Sequence, residues 1–135
     1  MAMELQVGVK VLLKNKEGNY LLLHRSHEKY PDVKDPWDIA GGRIDPGTPL
    51  LDNLAREVQE ETKLQIQGVP KLLGAQDILR VPGRHVVRLT YTASVDGEPK
   101  LDEEHDSYRW LTLDEIRGLP DADGYLLEIL KSGEF

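Results

Sequence analysis

Residues 56–61, with the sequence REVQEE, place three carboxylates within five positions. Each residue of an α-helix advances by about 100°, so Glu61 lies about 40° from Glu57, and Glu60 about 60° on the other side. The three acids therefore share one face of a helix. Carboxylates this close repel each other, which raises the pKa of at least one of them, and a divalent cation removes that cost. Their hard oxygen ligands favour Mg²⁺, with Mn²⁺ as a substitute, over Zn²⁺.

These acids require a helix to position them, and the sequence predicts one over residues 49–63. Thr48 is a suitable N-cap, and Pro49 is suited to the first helical position. Leu54 and Val58 belong to an apolar stripe on the neighbouring face, which can enter a core. A glutamate-rich helix is usually a solvated surface, so the metal interpretation depends on the residues that precede the helix.

The segment before the helix indicates a short strand, a glycine turn and a helix start. It begins at Trp37 and contains the pair Gly41-Gly42. Paired glycines allow the main chain to turn sharply and to aim a carbonyl at a nearby group. We therefore predict that the Gly41 carbonyl is a further oxygen ligand of the ion.

Together, these segments resemble the Nudix box, which is glycine, five residues, glutamate, seven residues, and Arg-Glu-aliphatic-any-Glu-Glu-any-Gly-aliphatic. The resemblance extends to residues 21–25 and 104–110, and covers roughly residues 7–116. The box residues that match at the required spacing are Gly42, Arg56, Glu57, Val58, Glu60, Glu61 and Leu64.

Two positions depart from that pattern. Thr48 stands where the family has its first glutamate, and Lys63 stands where it has glycine. In the family, the first glutamate pairs with the arginine and braces the loop that corresponds to residues 42–48. We therefore expect Arg56 to use a neighbouring carboxylate such as Glu60, the loop to lack its usual brace, and the helix to end in a less tight turn.

The resemblance implies a metal-dependent Nudix pyrophosphohydrolase, which cleaves the diphosphate linkage of a nucleoside diphosphate joined to another group. That group is left open: the substrate is a nucleoside triphosphate, a nucleotide sugar or a dinucleoside polyphosphate. The alternative is a non-catalytic nucleotide-sensing Nudix domain. The catalytic residues implied are Arg56, Glu57, Glu60, Glu61 and Glu104, and the metal ligands are Gly41, Glu57, Glu60, Glu61 and Glu104.

Glu104 is the implied residue outside the box, and Glu103 competes with it from one position away. Arg25 emerges from a buried strand, so it either contacts substrate or reaches solvent at the strand end. Trp37 either stacks on a base or packs in the core. Gly42 completes the predicted substrate-binding set. The four histidines, at positions 24, 27, 85 and 105, are expected to be solvated, although His105 has the chemistry of a base.

Composition limits the class of protein. The 135 residues suit one domain, carry a formal net charge of −7 and include no cysteine. An acidic surface disfavours nucleic-acid polymers, but a small nucleotide remains a suitable partner because a bound dication can reverse the local charge. No apolar run has the length of a membrane span or of a secretory signal. We expect a cytoplasmic protein that is a monomer or a homodimer.

The remaining elements predict an α/β fold. Strands are predicted over residues 5–13, 20–25 and 108–111, and a hairpin over residues 71–80 and 84–95. Two further helices are predicted over residues 113–119 and 125–131. The irregular order of strands and helices favours a mixed β-sheet between helices. The resemblance implies the same architecture, a Nudix-like α/β/α sandwich.

Overall fold

A computed structural model describes residues 2–132 of the chain. These residues form seven strands and three helices, and most of the predicted elements are confirmed. The elements in chain order are β1 (Glu4–Lys14), β2 (Tyr20–Arg25), β3 (Trp37–Asp38), β4 (Ala40–Arg43), α1 (Leu50–Thr62), β5 (Gln67–Ile78), β6 (Arg84–Ser94), β7 (His105–Leu111), α2 (Leu113–Arg117) and α3 (Gly124–Ser132).

The strands form one mixed sheet, as predicted. The order along its main path is β3-β2-β1-β6-β5. β1 runs parallel to β6 over its full length, and β5 and β6 form the predicted antiparallel hairpin. β4 pairs antiparallel with β1, whereas β7 pairs antiparallel with β2. The strand β4, which contains the Gly41-Gly42 pair of the predicted site, therefore lies beside the central strand β1.

Alternating residues of β1 separate two apolar layers. Val9, Val11 and Leu13 pack with Leu54 and Val58 of α1 on one face of the sheet. Leu12 packs on the opposite face, in a cluster to which α2 and α3 contribute. Because successive side chains of a strand point to opposite faces, this arrangement confirms the α/β/α sandwich. Within residues 2–132, no helix has the length and apolar character to cross a membrane.

Both ends of α1 differ from the predictions. Thr48 is not the N-cap: Pro49 occupies that position, with an extended ψ of 151°, and caps no N–H with its side chain. At the other end, Lys63 adopts φ 60° and ψ 11°, which is the left-handed conformation that glycine usually takes here. The expected looser turn is therefore wrong. Lys63 makes the tight turn at a cost of about 1 kcal/mol relative to glycine.

The loop of residues 44–49 is braced by two side chains. Asn53 is fully buried, donates to the carbonyls of Thr48 and Pro49 at 2.9 Å each, and accepts from the Asp45 N–H at 3.0 Å. Arg56 donates to Asp45 at 2.7 Å. Arg56 does pair with neighbouring carboxylates, as expected, but these are Asp45 and, at 3.2 Å, Glu57 instead of Glu60. The missing glutamate at position 48 is thus replaced by a different brace.

Replacing Asn53 tests this brace. We expect Asn53→Ala to lower the free energy of unfolding by about 1–3 kcal/mol, because it removes a fully buried amide and its hydrogen bonds to the Asp45 N–H and the Thr48 carbonyl. Gln59→Ala is the matched control, since it removes an exposed amide from the same helix and should change stability by less than about 0.5 kcal/mol. Urea unfolding followed by circular dichroism measures both variants. Equal stability of the two variants would contradict the role given to Asn53.

Candidate functional site

Gly41 is fixed by the close approach of β4 to β1. Its φ is 141°, and a Cβ at this position would lie 2.0 Å from the carbonyl oxygen of Val9 and 2.7 Å from the Cα of Lys10. No side chain fits there, and glycine is the residue that adopts this conformation without strain. The site is therefore built on a backbone contact that only glycine permits.

Gly42 faces the helix α1. A Cβ added to it would lie 2.8 Å from Oε2 of Glu57, so the carboxylate rests directly against the bare main chain. Nη2 of Arg56 donates to Oε1 of Glu57 at 3.2 Å. The glycine supplies space for the Glu57 carboxylate, and the arginine holds its orientation by a charge-assisted hydrogen bond.

Glu61 lies one helical turn from Glu57 and is almost completely buried. Its Oε1 accepts a hydrogen bond from the Gly41 N–H at 2.7 Å. Its Oε2 lies 3.9 Å from Nε2 of His105. The predicted convergence of Glu57 and Glu61 on the glycine turn is what the structure shows, whereas the third acid of the helix, Glu60, is solvent-exposed.

Burial and mutual repulsion make these carboxylates harder to ionise. Burial raises the pKa of Glu61 to about 7, and the charges of Glu57 and Asp102 add to this, while Lys10 and the Gly41 N–H oppose it. The pKa of Glu57 is also raised, first by burial and then by Glu60. A divalent cation relieves such repulsion, so this donor set fits one.

His105 joins this cluster, contrary to the expectation that it is solvated. Only 7% of its side chain is exposed, because β7 begins at His105, three residues before the predicted start. Its Nδ1 hydrogen-bonds Oδ1 of Asp102 at 2.8 Å. With Nδ1 in this bond, the other ring nitrogen, Nε2, faces Glu61. Ligand atoms of Glu61, Asp102 and His105 lie within 4.8 Å of one another and could hold a metal ion.

The two competing glutamates of the preceding loop have different surroundings. The charge of Glu104 contributes to the raised pKa of Glu57, after burial, Glu60 and two opposing cations, which places Glu104 near the box carboxylates. Glu103 instead forms an ion pair with Lys29 at 3.4 Å. The effect of its charge on the pKa of Glu57 favours Glu104, and sequence spacing could not have separated these neighbours.

A cavity of about 600 Å³ opens beside the glycine pair. Gly41, Gly42 and Arg25 line it, whereas Trp37 is not among the lining residues. Trp37 packs instead against the core that contains Leu12. The cavity is rich in charge, and its charged residues are Lys10, Arg25, Lys34, Arg43, Arg80 and Arg88 with the acids Asp35, Asp38 and Asp123.

Several of these charges pair with each other on the cavity floor. Arg88 is 4% exposed and contacts Oδ2 of Asp123 at 2.9 Å and Oδ1 of Asp38 at 3.4 Å. Lys10 pairs with Oδ2 of Asp38 at 3.2 Å. The sequence patterns did not predict this network. The available signal was a lysine and an arginine within otherwise apolar strands, where an unpaired charge is unfavourable.

Comparisons with known proteins agree with this architecture. A sequence profile of the NUDIX domain matches residues 4–130. The uncharacterised Nudix hydrolase YvcI of Bacillus subtilis (strain 168) is 30% identical over 105 residues, covering 73% of this chain and 66% of that protein. The asymmetrical bis(5'-nucleosyl)-tetraphosphatase of Rattus norvegicus is 34% identical over 84 residues, covering 58% and 57% respectively. The chain thus spans about two-thirds or less of these curated relatives.

Solved structures show the same fold. The crystal structure of a MutT protein from Methanosarcina mazei Go1 matches with a TM-score of 0.82 and 27% identity, covering 98% of this chain and 94% of that one. A Caenorhabditis elegans Ap4A hydrolase binary complex matches with a TM-score of 0.72 and 18% identity, covering 93% of each chain. With the profile match over nearly the whole chain, these findings establish that the protein belongs to the NUDIX family.

The two glycines should respond differently to the same substitution. Gly42→Ala pushes only the flexible end of Glu57 aside, so we expect Mg²⁺ affinity to fall while the free energy of unfolding changes by less than about 1 kcal/mol. Gly41→Ala clashes with backbone, so unfolding should become easier by about 2–4 kcal/mol. Thermal unfolding and calorimetric Mg²⁺ titration measure the pair. Similar stability losses in both variants would contradict this geometry.

The raised pKa of Glu61 predicts how the stability of the metal-free protein depends on pH. Between pH 4.5 and about 7, folded Glu61 keeps a proton that the unfolded chain has released. The free energy of unfolding should therefore fall by up to roughly 3 kcal/mol as pH rises through this window, then level off.

Urea unfolding in a chelator at pH 5 and pH 7.5 measures this effect. Glu61→Gln lacks the titrating group, so the difference between the variant and the unchanged protein isolates Glu61 from all other groups. Added Mg²⁺ should stabilise the unchanged protein more at pH 7.5 than at pH 5, because the ion requires the ionised carboxylate. Identical pH slopes in both proteins would remove Glu61 as the cause.

Proposed function

We propose that this protein is a metal-dependent hydrolase that cleaves the diphosphate linkage of a nucleoside diphosphate joined to another group. One observation carries the proposal: Glu57 and Glu61 converge on the bare Gly41-Gly42 main chain, and the same two glycines line a cavity with six cationic side chains. Anionic phosphates that lie over the glycines reach the acids on one side and the cavity on the other.

The donor set fits a hard dication such as Mg²⁺, with Mn²⁺ as a substitute. We assign the ligands to Glu57, Glu60, Glu61, Glu104 and the Gly41 carbonyl. A bound ion of this kind neutralises phosphate charge and acidifies water. Burial raises the pKa of Glu57 and Glu61, so their ionised forms are unfavourable without a nearby cation. This supports the assignment of a metal ion to these carboxylates.

The side chains divide the remaining work. Glu57 is held against Gly42 by Arg56, and we assign it to orient the attacking water and to accept its proton. The role of Arg56 is positioning, through its bonds to Asp45, Asn53 and Glu57. Arg25 lies at the cavity and is suited to contact a substrate phosphate. Catalysis then depends mainly on positioning and charge stabilisation.

The substrate is a small nucleotide, and the cavity of about 600 Å³ has the volume of a small-molecule site. The name of the rat relative, a bis(5'-nucleosyl)-tetraphosphatase, supports dinucleoside polyphosphates as one candidate class of substrate. The rebuilt brace of the loop of residues 44–49 supports catalysis over nucleotide sensing without turnover. We place the reaction in the cytoplasm, a reducing compartment that suits a chain without cysteine.

A release assay for phosphate and pyrophosphate, run over nucleotide classes with Mg²⁺ or Mn²⁺, tests this function. Glu57→Gln should lower kcat by about 10²–10⁴-fold, because it removes the group that accepts the proton. Its thermal stability in chelator should be unchanged or higher, since a half-buried repelled charge disappears. Glu103→Gln is the matched control and should keep full activity. The proposal fails if no nucleotide is hydrolysed, or if Glu57→Gln retains full turnover.

A further inference from the structure

The strand β7 contains one residue more than its partner β2 close to the start of β7. His24 of β2 lies opposite Ser107, whereas the next residue of β2, Arg25, lies opposite His105, so Asp106 is an extra residue between them. Two residues on one strand that oppose a single step on the other form a β-bulge. A bulge reverses the faces to which the side chains beyond it point.

The bulge determines which face of the sheet His105 joins. Tyr108 and Trp110 pack against the apolar layer that contains α1, and Leu111 packs in the layer on the other side. His105 and Leu111 are an even number of positions apart, so a regular strand would place them on the same face. The structure instead places Nε2 of His105 3.9 Å from Oε2 of Glu61 in α1. The extra residue therefore turns His105 towards the carboxylates.

The side chain of Asp106 connects the bulge to three neighbouring groups. Its Oδ1 lies 2.7 Å from Nδ1 of His24, and its Oδ2 accepts a hydrogen bond from the His27 N–H at 3.1 Å. The hydroxyl of Ser107 donates to the same Oδ1 at 3.3 Å. These partners belong to β2, to the loop after β2 and to β7 itself. The extra residue of a bulge is left out of the ladder, and here side-chain bonds hold it in place.

Asp106 is directed away from the carboxylates of α1. Its partner His24 contacts Trp37 edge to face, with 4.8 Å between the ring centroids. Trp37 packs against the core that contains Leu12, on the face of the sheet opposite α1. The carboxylate of Asp106 therefore influences the candidate site only through the residues that it positions.

The segment before the bulge is held from both ends. The Ser26 N–H donates to the carbonyl of Glu104 at 2.8 Å. Oδ1 of Asp102 accepts from the Glu104 N–H at 3.2 Å and lies 2.8 Å from Nδ1 of His105. Asp102 thus fixes the segment on the side of the site, and Asp106 fixes it on the opposite face. A displacement of the bulge would move Glu104 and His105 together.

We propose that Asp106 is a positioning residue: its carboxylate fixes the bulge of β7, which directs His105 to Glu61 and keeps Glu104 near the box carboxylates. This inference rests on the proposed function, in which Glu61 and Glu104 are metal ligands. A misplacement of about 1 Å can lower a rate by about a hundredfold. The effect of Asp106 on turnover is therefore large although its side chain touches no reacting group.

Alanine and asparagine at position 106 separate positioning from a role of the charge. Asp106→Ala removes both acceptor oxygens and should lower kcat by about tenfold to a hundredfold. The amide of Asp106→Asn can accept from the His27 N–H and donate to the His24 ring, so kcat should stay within about threefold. Equal losses in both variants, or full turnover in Asp106→Ala, overturn the proposal.

Glu103→Gln is the matched control for these variants. It breaks the ion pair with Lys29, which joins the same two segments of the chain but does not involve the bulge. Because that pair is exposed, we expect kcat to stay unchanged. A loss in Glu103→Gln as large as that in Asp106→Ala would show that any tether between the segments suffices, and would overturn the specific role of Asp106.

A double-mutant cycle identifies the residue through which Asp106 acts on turnover. In a protein that already carries Glu104→Gln, we expect Asp106→Ala to lower kcat by less than about threefold, because the misplaced ligand is already lost. Fully additive losses would contradict the connection to Glu104. A general loss of structure would lower kcat equally in both backgrounds, so the cycle separates positioning from instability.

Nuclear Overhauser contacts of the His105 ring test the positioning without turnover. In chelator, the ring should show contacts to side chains of α1, which Asp106→Ala loses and Asp106→Asn keeps. Contacts that persist in Asp106→Ala overturn the proposal. Because 42% of the Asp106 side chain is exposed, its replacement leaves the core intact, and circular dichroism verifies that each variant is folded.

These measurements separate the two proposals. If the His105 contacts depend on Asp106 while no nucleotide is hydrolysed, the proposed hydrolase fails and the positioning of His105 by Asp106 stands. If hydrolysis depends fully on Glu57 while Asp106→Ala keeps both its contacts and its kcat, the hydrolase stands and the role of Asp106 fails.

Discussion

The contact between β4 and β1 at Gly41 is the constraint on which the rest of the site depends. Because Gly41 has no Cβ, β4 can lie close to the Val9 carbonyl of β1. In this position the Gly41 N–H donates a hydrogen bond to Glu61. The next residue, Gly42, leaves room for the Glu57 carboxylate. A side chain at position 41 would clash with the backbone of β1, and one at position 42 would displace the Glu57 carboxylate. The two glycines thus allow the acidic residues of α1 to lie against β4 in a defined geometry.

This narrow strand also separates two regions of opposite charge. On the side of α1, burial and repulsion raise the pKa of Glu57 and Glu61. On the cavity side, Arg43 and Arg80 form no ion pair within the described part of the chain, while Lys10 and Arg88 pair with Asp38 and Asp123. Each region is unfavourable alone, and a polyphosphate with its dication would neutralise both. Under the function proposed above, binding of such a ligand would relieve this repulsion.

The features that sequence could predict are those set by local spacing. The convergence of Glu57 and Glu61 follows from the period of one helix, and the β5–β6 hairpin follows from its turn residues. The burial of His105 could not be predicted in this way, because it depends on β7 pairing with β2 upstream of its apolar residues. The Arg88 network depends on strands and a helix start that are distant in sequence. Spacing determines which side chains share a face, but long-range pairing determines what that face meets.

The brace of the loop of residues 44–49 shows how this limit applies to family patterns. Thr48 removes an ionic partner of Arg56, which on the pattern alone indicates a loose loop. In the structure, Asp45 supplies the charge from within the loop, and the buried amide of Asn53 ties the loop's carbonyls to the helix. An amide both donates and accepts, so it satisfies backbone groups that a carboxylate, which only accepts, would leave unpaired. The physical requirement is that Arg56 be held beside Glu57, and more than one set of residues can meet it.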